Sequence, residues 1–160
     1  MIFKMCGVWL FFLLLFFISD VGANVSAAAE KPVQPEIAQP ESTDFEVITA
    51  EELKTKMDKN EPVTIIDVRS TDSYIDSSNK IRGAIHVKVR RLRYRLTMPP
   101  LKNVPRDREV ITYCACPSDE ASIAAAKVLS DAGFKRVRVL KGGWRGWLKT
   151  NGPVESKPRN

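Results

Sequence analysis

The residues best suited to chemistry in this 160-residue chain are Cys114 and Cys116, two apart in the run Tyr113-Cys114-Ala115-Cys116-Pro117-Ser118-Asp119-Glu120-Ala121-Ser122. A thiolate is a sulfur nucleophile and a soft metal ligand. A pair this close could form a reducible disulfide, resolve a persulfide by attack from the neighbouring thiol, or bind an ion such as Cu(I). It is too close in sequence to staple distant parts of a fold, and the third cysteine, Cys6, lies in an N-terminal apolar stretch. A metal would want further ligands, but His86 is the single histidine, and Met57 and Met98 have no suggestive spacing. No metal and no organic cofactor is therefore expected. A buried, inert thiol pair is the plain alternative.

The elements that position the pair are written on either side of it. Val110-Ile111-Thr112-Tyr113 is a run of strand formers. Ala121, Ala124, Ala125, Val128, Leu129 and Ala132 recur at helical spacing, with Gly133 as the stop. The cysteines thus fall on a strand-to-helix turn, where loop amides and the positive end of the helix dipole favour thiolate over thiol. Asp119 and Glu120 sit in the first helical turn, where acidic side chains are favourable dipole partners.

Along the rest of the chain, residues 1–23 carry Lys4, an apolar run from Val8 to Ile18 and small residues ending at Ala23, the pattern of a secretory signal peptide. The exported, periplasmic protein is the expectation, with an uncleaved membrane anchor as the alternative. Residues 24–44 hold Pro32, Pro35 and Pro40 among polar and small residues and read as a flexible linker. A single domain is expected over residues 45–153, followed by a tail over residues 154–160. Within it, Phe45 to Ile48 reads as a strand, Thr49 and Glu52 as a capping box for a helix through Met57, and Pro62 to Arg69 as an apolar strand ending in a charged pair. Thr71 to Ile75 reads as a helical turn, and Ile81 to Val87 as a glycine turn with a further strand. Lys88, Arg90, Arg91, Arg93 and Arg95 decorate a short basic helix that ends before Pro99-Pro100. Val137 to Leu140 forms a last core strand, and Gly142-Gly143-Trp144 leads a C-terminal helix, its Trp144 and Trp147 read as core. Strands alternating with helices predict an α/β fold, a parallel β-sheet with helices on both faces.

Six landmarks in order, Asp67-Val68-Arg69, Tyr74, Ile81-Arg82-Gly83-Ala84-Ile85, Tyr113-Cys114, Ala132-Gly133-Phe134 and Leu140-Lys141-Gly142-Gly143-Trp144, make this region resemble a rhodanese-like domain. The resemblance implies a sulfurtransferase. Its cysteine accepts sulfane sulfur from a small donor such as thiosulfate or polysulfide, becomes a persulfide, and passes the sulfur to a thiol or cyanide acceptor. Counting forward from the strand, Cys114 matches the family's cysteine; counting back from Gly133-Phe134, Cys116 does. We take Cys114 as the nucleophile, because it ends the strand, and Cys116 as its partner thiol. Ala115, Pro117, Ser118, Asp119, Glu120, Ala121 and Ser122 would then form the active-site loop.

That loop lacks the glycine and arginine common in the family and is acidic instead, which argues for thiosulfate as a poor donor and against the related phosphatase chemistry, where a cation must clamp phosphate oxygens. Asp67, Arg69 and His86 could edge the site, although a structural ion pair and a strand-capping histidine are the stronger readings. The net charge of +6 is a weak pointer to anionic partners. No nucleic-acid partner is expected, and the basic run reads as a solvated helix face. Two alternatives to the enzyme remain: a catalytically silent binding module and a dithiol redox protein.

Overall fold

The computed structural model describes residues 45–157. The expected leader and linker lie outside them. Five strands, β1 (Glu46–Ile48), β2 (Val63–Asp67), β4 (Ile85–His86), β5 (Glu109–Tyr113) and β6 (Arg136–Leu140), form a sheet in the order β1-β6-β5-β2-β4. All neighbours are parallel. Parallel pairing demands crossover connections. These carry α1 (Ala50–Asp58), α2 (Thr71–Ile75), α3 (Val89–Arg95) and α4 (Glu120–Asp131), and α5 (Gly143–Lys149) follows the last strand of the sheet.

Alternation along β5 divides the interior into two cores. Ile111 and Tyr113 point to the face covered by α1 and α5, where they meet Leu53, Trp144 and Trp147. Val110 and Cys114 point to the other face, against Leu92 and Leu96 at the α3 end and Ala125 and Leu129 of α4. Every residue of β5 is buried, as a central strand covered on both sides must be. Leu92 and Leu129 are wholly buried. Truncating either to alanine is worth about 2–5 kcal/mol.

The N-terminus of α1 is capped as the sequence reads, by Thr49 accepting from the Glu52 amide at 3.1 Å. The reciprocal half of the capping box is missing, because the Glu52 carboxylate is drawn away to Arg138, at 2.6 and 3.1 Å. Arg138 also reaches Glu109 at 3.3 Å, and Lys56 and Arg136 approach the same buried carboxylate at 3.2 and 3.0 Å. This cluster ties α1, β5 and β6 together at the amino end of β5, away from the cysteines.

The tail expected from residue 154 is corrected. Val154–Ser156 is a strand, β7, paired antiparallel with β3 (Asn79–Ile81). The pairing is secured at its ends by Arg82 N–H donating to Pro153 and Lys157 N–H to Ser78, and on its side by the Lys80–Glu155 ion pair. The three residues have no pattern of their own; a distant partner makes them a strand. The chain reaches that partner by crossing the Trp147 indole at Gly152, where a β-carbon would overlap the ring.

Candidate active site

Cys114 is the first residue beyond β5. Its carbonyl accepts from the Trp144 amide at 2.7 Å, and a side chain at Gly143, whose φ is +50, would strike that same carbonyl. One residue earlier, Asp119 Oδ2 accepts from the Gly142 amide at 3.2 Å. The Gly142-Gly143-Trp144 entry to α5 therefore clamps the turn at both of its ends. Close approach explains Gly143, and the left-handed φ of +70 explains Gly142. Sequence reading took Trp144 as core and did not link it to Cys114; the two adjacent glycines were the available signal.

Between the clamped ends the loop residues diverge. Cys114 and Cys116 form a disulfide, with Cα atoms 5.7 Å apart. Cys114 is only 1% exposed and lies within the core shared with α3 and α4, whereas Cys116 is half-buried on the rim of that core. Ala115 packs towards the opposite face. Pro117, Ser118 and Glu120 are exposed, and Ala121 is half-buried. Ser122 is wholly buried; its carbonyl accepts from Thr112 Oγ1 at 3.0 Å, while its own hydroxyl has no hydrogen-bond partner. Asp119 takes the left-handed conformation, φ +56, as N-cap of α4 without capping it through its side chain. Burial pushes its carboxyl above the ordinary value, against the Gly142 amide, which pulls it down.

A pocket of about 380 Å³ opens beside the turn, bordered by Val68 to Thr71 after β2, by Lys88, Val89 and Arg90 at the start of α3, and by Ala121. Val68, Val89 and Ala121 belong to the same apolar cluster as the two cysteines. The pocket is thus on the face to which Cys114 points, with two cationic side chains at its edge. The basic segment, read from sequence as a solvated face, contributes to this cavity.

Asp67 and Arg69 are not an edge of this site through their side chains. Both are fully buried, with Nη2 of Arg69 2.7 Å from Oδ2 of Asp67. Tyr113 donates its hydroxyl to Asp67 at 2.7 Å and accepts from the Ile81 amide, and Arg69 continues to the Asn79 carbonyl at 3.0 Å. The guanidinium lies over the Trp144 ring at 4.5 Å. Burial alone would raise the Asp67 carboxyl; the nearby His86 ring and the hydrogen bonds from Arg69 and Tyr113 outweigh it and hold it below its ordinary value. His86 Nδ1 is 3.1 Å from the Asp67 carbonyl oxygen and 3.7 Å from Oδ1, and its ring stacks on Tyr74. It faces a separate cavity with Lys88, Arg91 and Arg95. Asp67 and Arg69, with Tyr113, form a buried lattice against Trp144, and His86 joins it from a half-buried position. Among the described residues no cluster of three or more His, Cys, Asp or Glu is placed to hold a metal ion.

A parallel sheet with helices on both faces and a cysteine turn at the carboxyl end of its middle strand defines a class in which sites gather at strand ends. Residues 49–150 match the Rhodanese-like domain, and the chain belongs to that family, which at this level is of sulfurtransferase type. It is 26% identical over 107 residues to a sulfurtransferase of Allochromatium vinosum, covering 67% of this chain and 92% of that protein. Among solved structures, the Alr3790 protein from Anabaena sp. shares 32% identity with a TM-score of 0.58, over 69% of this chain and 82% of the other. The RPA3614 protein from Rhodopseudomonas palustris, described as of unknown function and a possible tyrosine phosphatase, shares 26% identity with a TM-score of 0.56, over 69% and 85%.

Proposed function

We propose that this protein is an exported sulfurtransferase or persulfide carrier whose nucleophile is Cys114. The observation that carries the reading is the position of Cys114 at the carboxyl end of β5, held by its own carbonyl on the Trp144 amide and followed by the turn into α4. Reduction of the disulfide frees the thiolate. It attacks the outer sulfur of a donor such as thiosulfate or polysulfide; the donor's S–S bond breaks, and sulfite or the shortened polysulfide leaves with the electron pair. The persulfide anion is favoured by the amides that open α4. An acceptor thiolate or cyanide then takes the outer sulfur, and Cys114 leaves as thiolate. Lys88 and Arg90 at the pocket edge supply the attraction for an anionic donor that the acidic loop lacks. No Lys or Arg lies between Cys114 and Ser122, which weighs against phosphatase chemistry. Export rests on the leader pattern of residues 1–23, and cell fractionation tests it.

The deciding experiment is intact-mass spectrometry of the reduced protein after thiosulfate and, separately, polysulfide. A gain of one sulfur, removed by cyanide and absent in Cys114→Ser, is the expected result. No uptake from either donor would refute the proposal.

A further inference from the structure

We propose that Cys116 gives the site a second activity, the reduction of sulfane sulfur to sulfide, with a dithiol protein or small dithiol as the reductant. This rests on the persulfide chemistry proposed above and adds what happens to the loaded sulfur when no acceptor intervenes.

The loop already brings the two sulfurs into bonding contact while Cys114 stays clamped through its carbonyl to Trp144 and Asp119 stays on Gly142. Bond formation between the cysteines is therefore compatible with the anchored turn. In the loaded protein, the Cys116 thiolate attacks the inner, Cys114 sulfur of the persulfide. The Cys114–Cys116 disulfide forms, the bond to the outer sulfur breaks, and that sulfur departs with the electron pair and with the proton given up by the Cys116 thiol, as hydrosulfide. The two cysteines are oxidised by two electrons and the sulfane sulfur is reduced by two. Intramolecular attack has a large concentration advantage over any thiol in solution.

The resulting disulfide must be reduced before another cycle. Exposure gives that step a direction. In the disulfide form Cys114 is 1% exposed and enclosed by the α3–α4 core, whereas Cys116 sits at the rim. An incoming thiolate meets Cys116 first, forms a mixed disulfide there and expels Cys114 as thiolate, so the buried sulfur is regenerated as nucleophile without being touched by the reductant. A second thiol on the reductant then releases Cys116, which is why a dithiol suits the cycle better than a monothiol. The reaction that feeds this one must therefore deliver reducing equivalents as a dithiol.

The full chain, reduced with dithiothreitol and freed of it without oxygen, is given one equivalent of polysulfide while free sulfide and intact mass are followed. Beyond the sulfide that the polysulfide itself contributes in a protein-free control, wild type is expected to release one sulfide per chain and to finish without added sulfur and lighter by two hydrogens. Cys116→Ser and Cys116→Ala are expected to keep the added sulfur and lose this release, with circular dichroism reporting their fold. Glutathione added to the oxidised protein is expected to be found on Cys116 by peptide mapping. A wild type that holds a stable persulfide with Cys116 still reduced would overturn this inference and leave the transferase reading intact. Uptake of no sulfur by wild type or either variant would overturn both. Glutathione on Cys114 would overturn the direction of attack.

Discussion

The amide of Trp144 donates to the carbonyl of Cys114 at 2.7 Å, so the first turn of the last helix fixes the residue that ends the central strand. Nearly thirty positions separate them in sequence, yet the clamp depends on the backbone of each, and on the absence of a side chain at Gly143.

Gly143→Ala tests that clamp. Its new methyl would meet the Cys114 carbonyl in a backbone conformation that alanine disfavours. A cost of about 1–3 kcal/mol in urea unfolding is expected, together with a loss of sulfur loading larger than the loss of folded protein. A variant with parental loading would show that the clamp does not position the cysteine.

The buried pair of Asp67 and Arg69 predicts a pH signature. Replacing Asp67 by Asn leaves the guanidinium without its counter-charge and is expected to cost about 3–5 kcal/mol at pH 7. Because the Asp67 carboxyl is held below its ordinary value of 3.8, its stabilisation is complete above that pH and disappears as pH falls through the lower, folded value. Urea melts of the parent and Asp67→Asn should converge on acidification. A gap unchanged by acid would count against the pair.

Asp119 carries the opposite sign. Burial raises its carboxyl, so ionisation above pH 3.8 costs stability rather than adding it. Asp119→Asn retains an acceptor for the Gly142 amide without the charge. Its melting temperature at pH 7 should equal or exceed the parent's, the difference shrinking in acid, and loading from thiosulfate should rise about two- to tenfold as a negative charge leaves the turn. A fall in both would show that the carboxylate itself is needed.

The pocket edge predicts a salt effect. Lys88→Glu with Arg90→Glu should slow loading from thiosulfate about tenfold at low ionic strength, and the deficit should fade as salt screens the exposed charges. Stopped-flow loading across a salt series measures it. A deficit independent of salt would mean that these residues act through packing.

Much of this architecture can be read locally. Strand formers before Cys114 and alanines after it announce the turn, and the Thr49 cap, the Thr71–Ile75 helix and the alternating elements follow from neighbours in the sequence. What escapes is whatever depends on a distant partner. Glu52 could not be seen to prefer Arg138 over its own cap, nor Tyr113 to complete the lattice of Asp67 and Arg69. Val154–Ser156 becomes a strand only because Asn79–Ile81 lies beside it. At the site, the types and spacing of the cysteines suggested the chemistry, but the contrast in their exposure required the folded chain.

The restraints on the turn are the Cys114–Cys116 disulfide at one end and Asp119 at the other, while Pro117 and Ser118 stand in solvent. Residues could be added or removed between these anchors without moving the central strand, so the segment behaves as a replaceable insert in a fixed socket. Grafting other loop sequences between Cys116 and Asp119 is thus a route to new donor preferences on an unchanged scaffold.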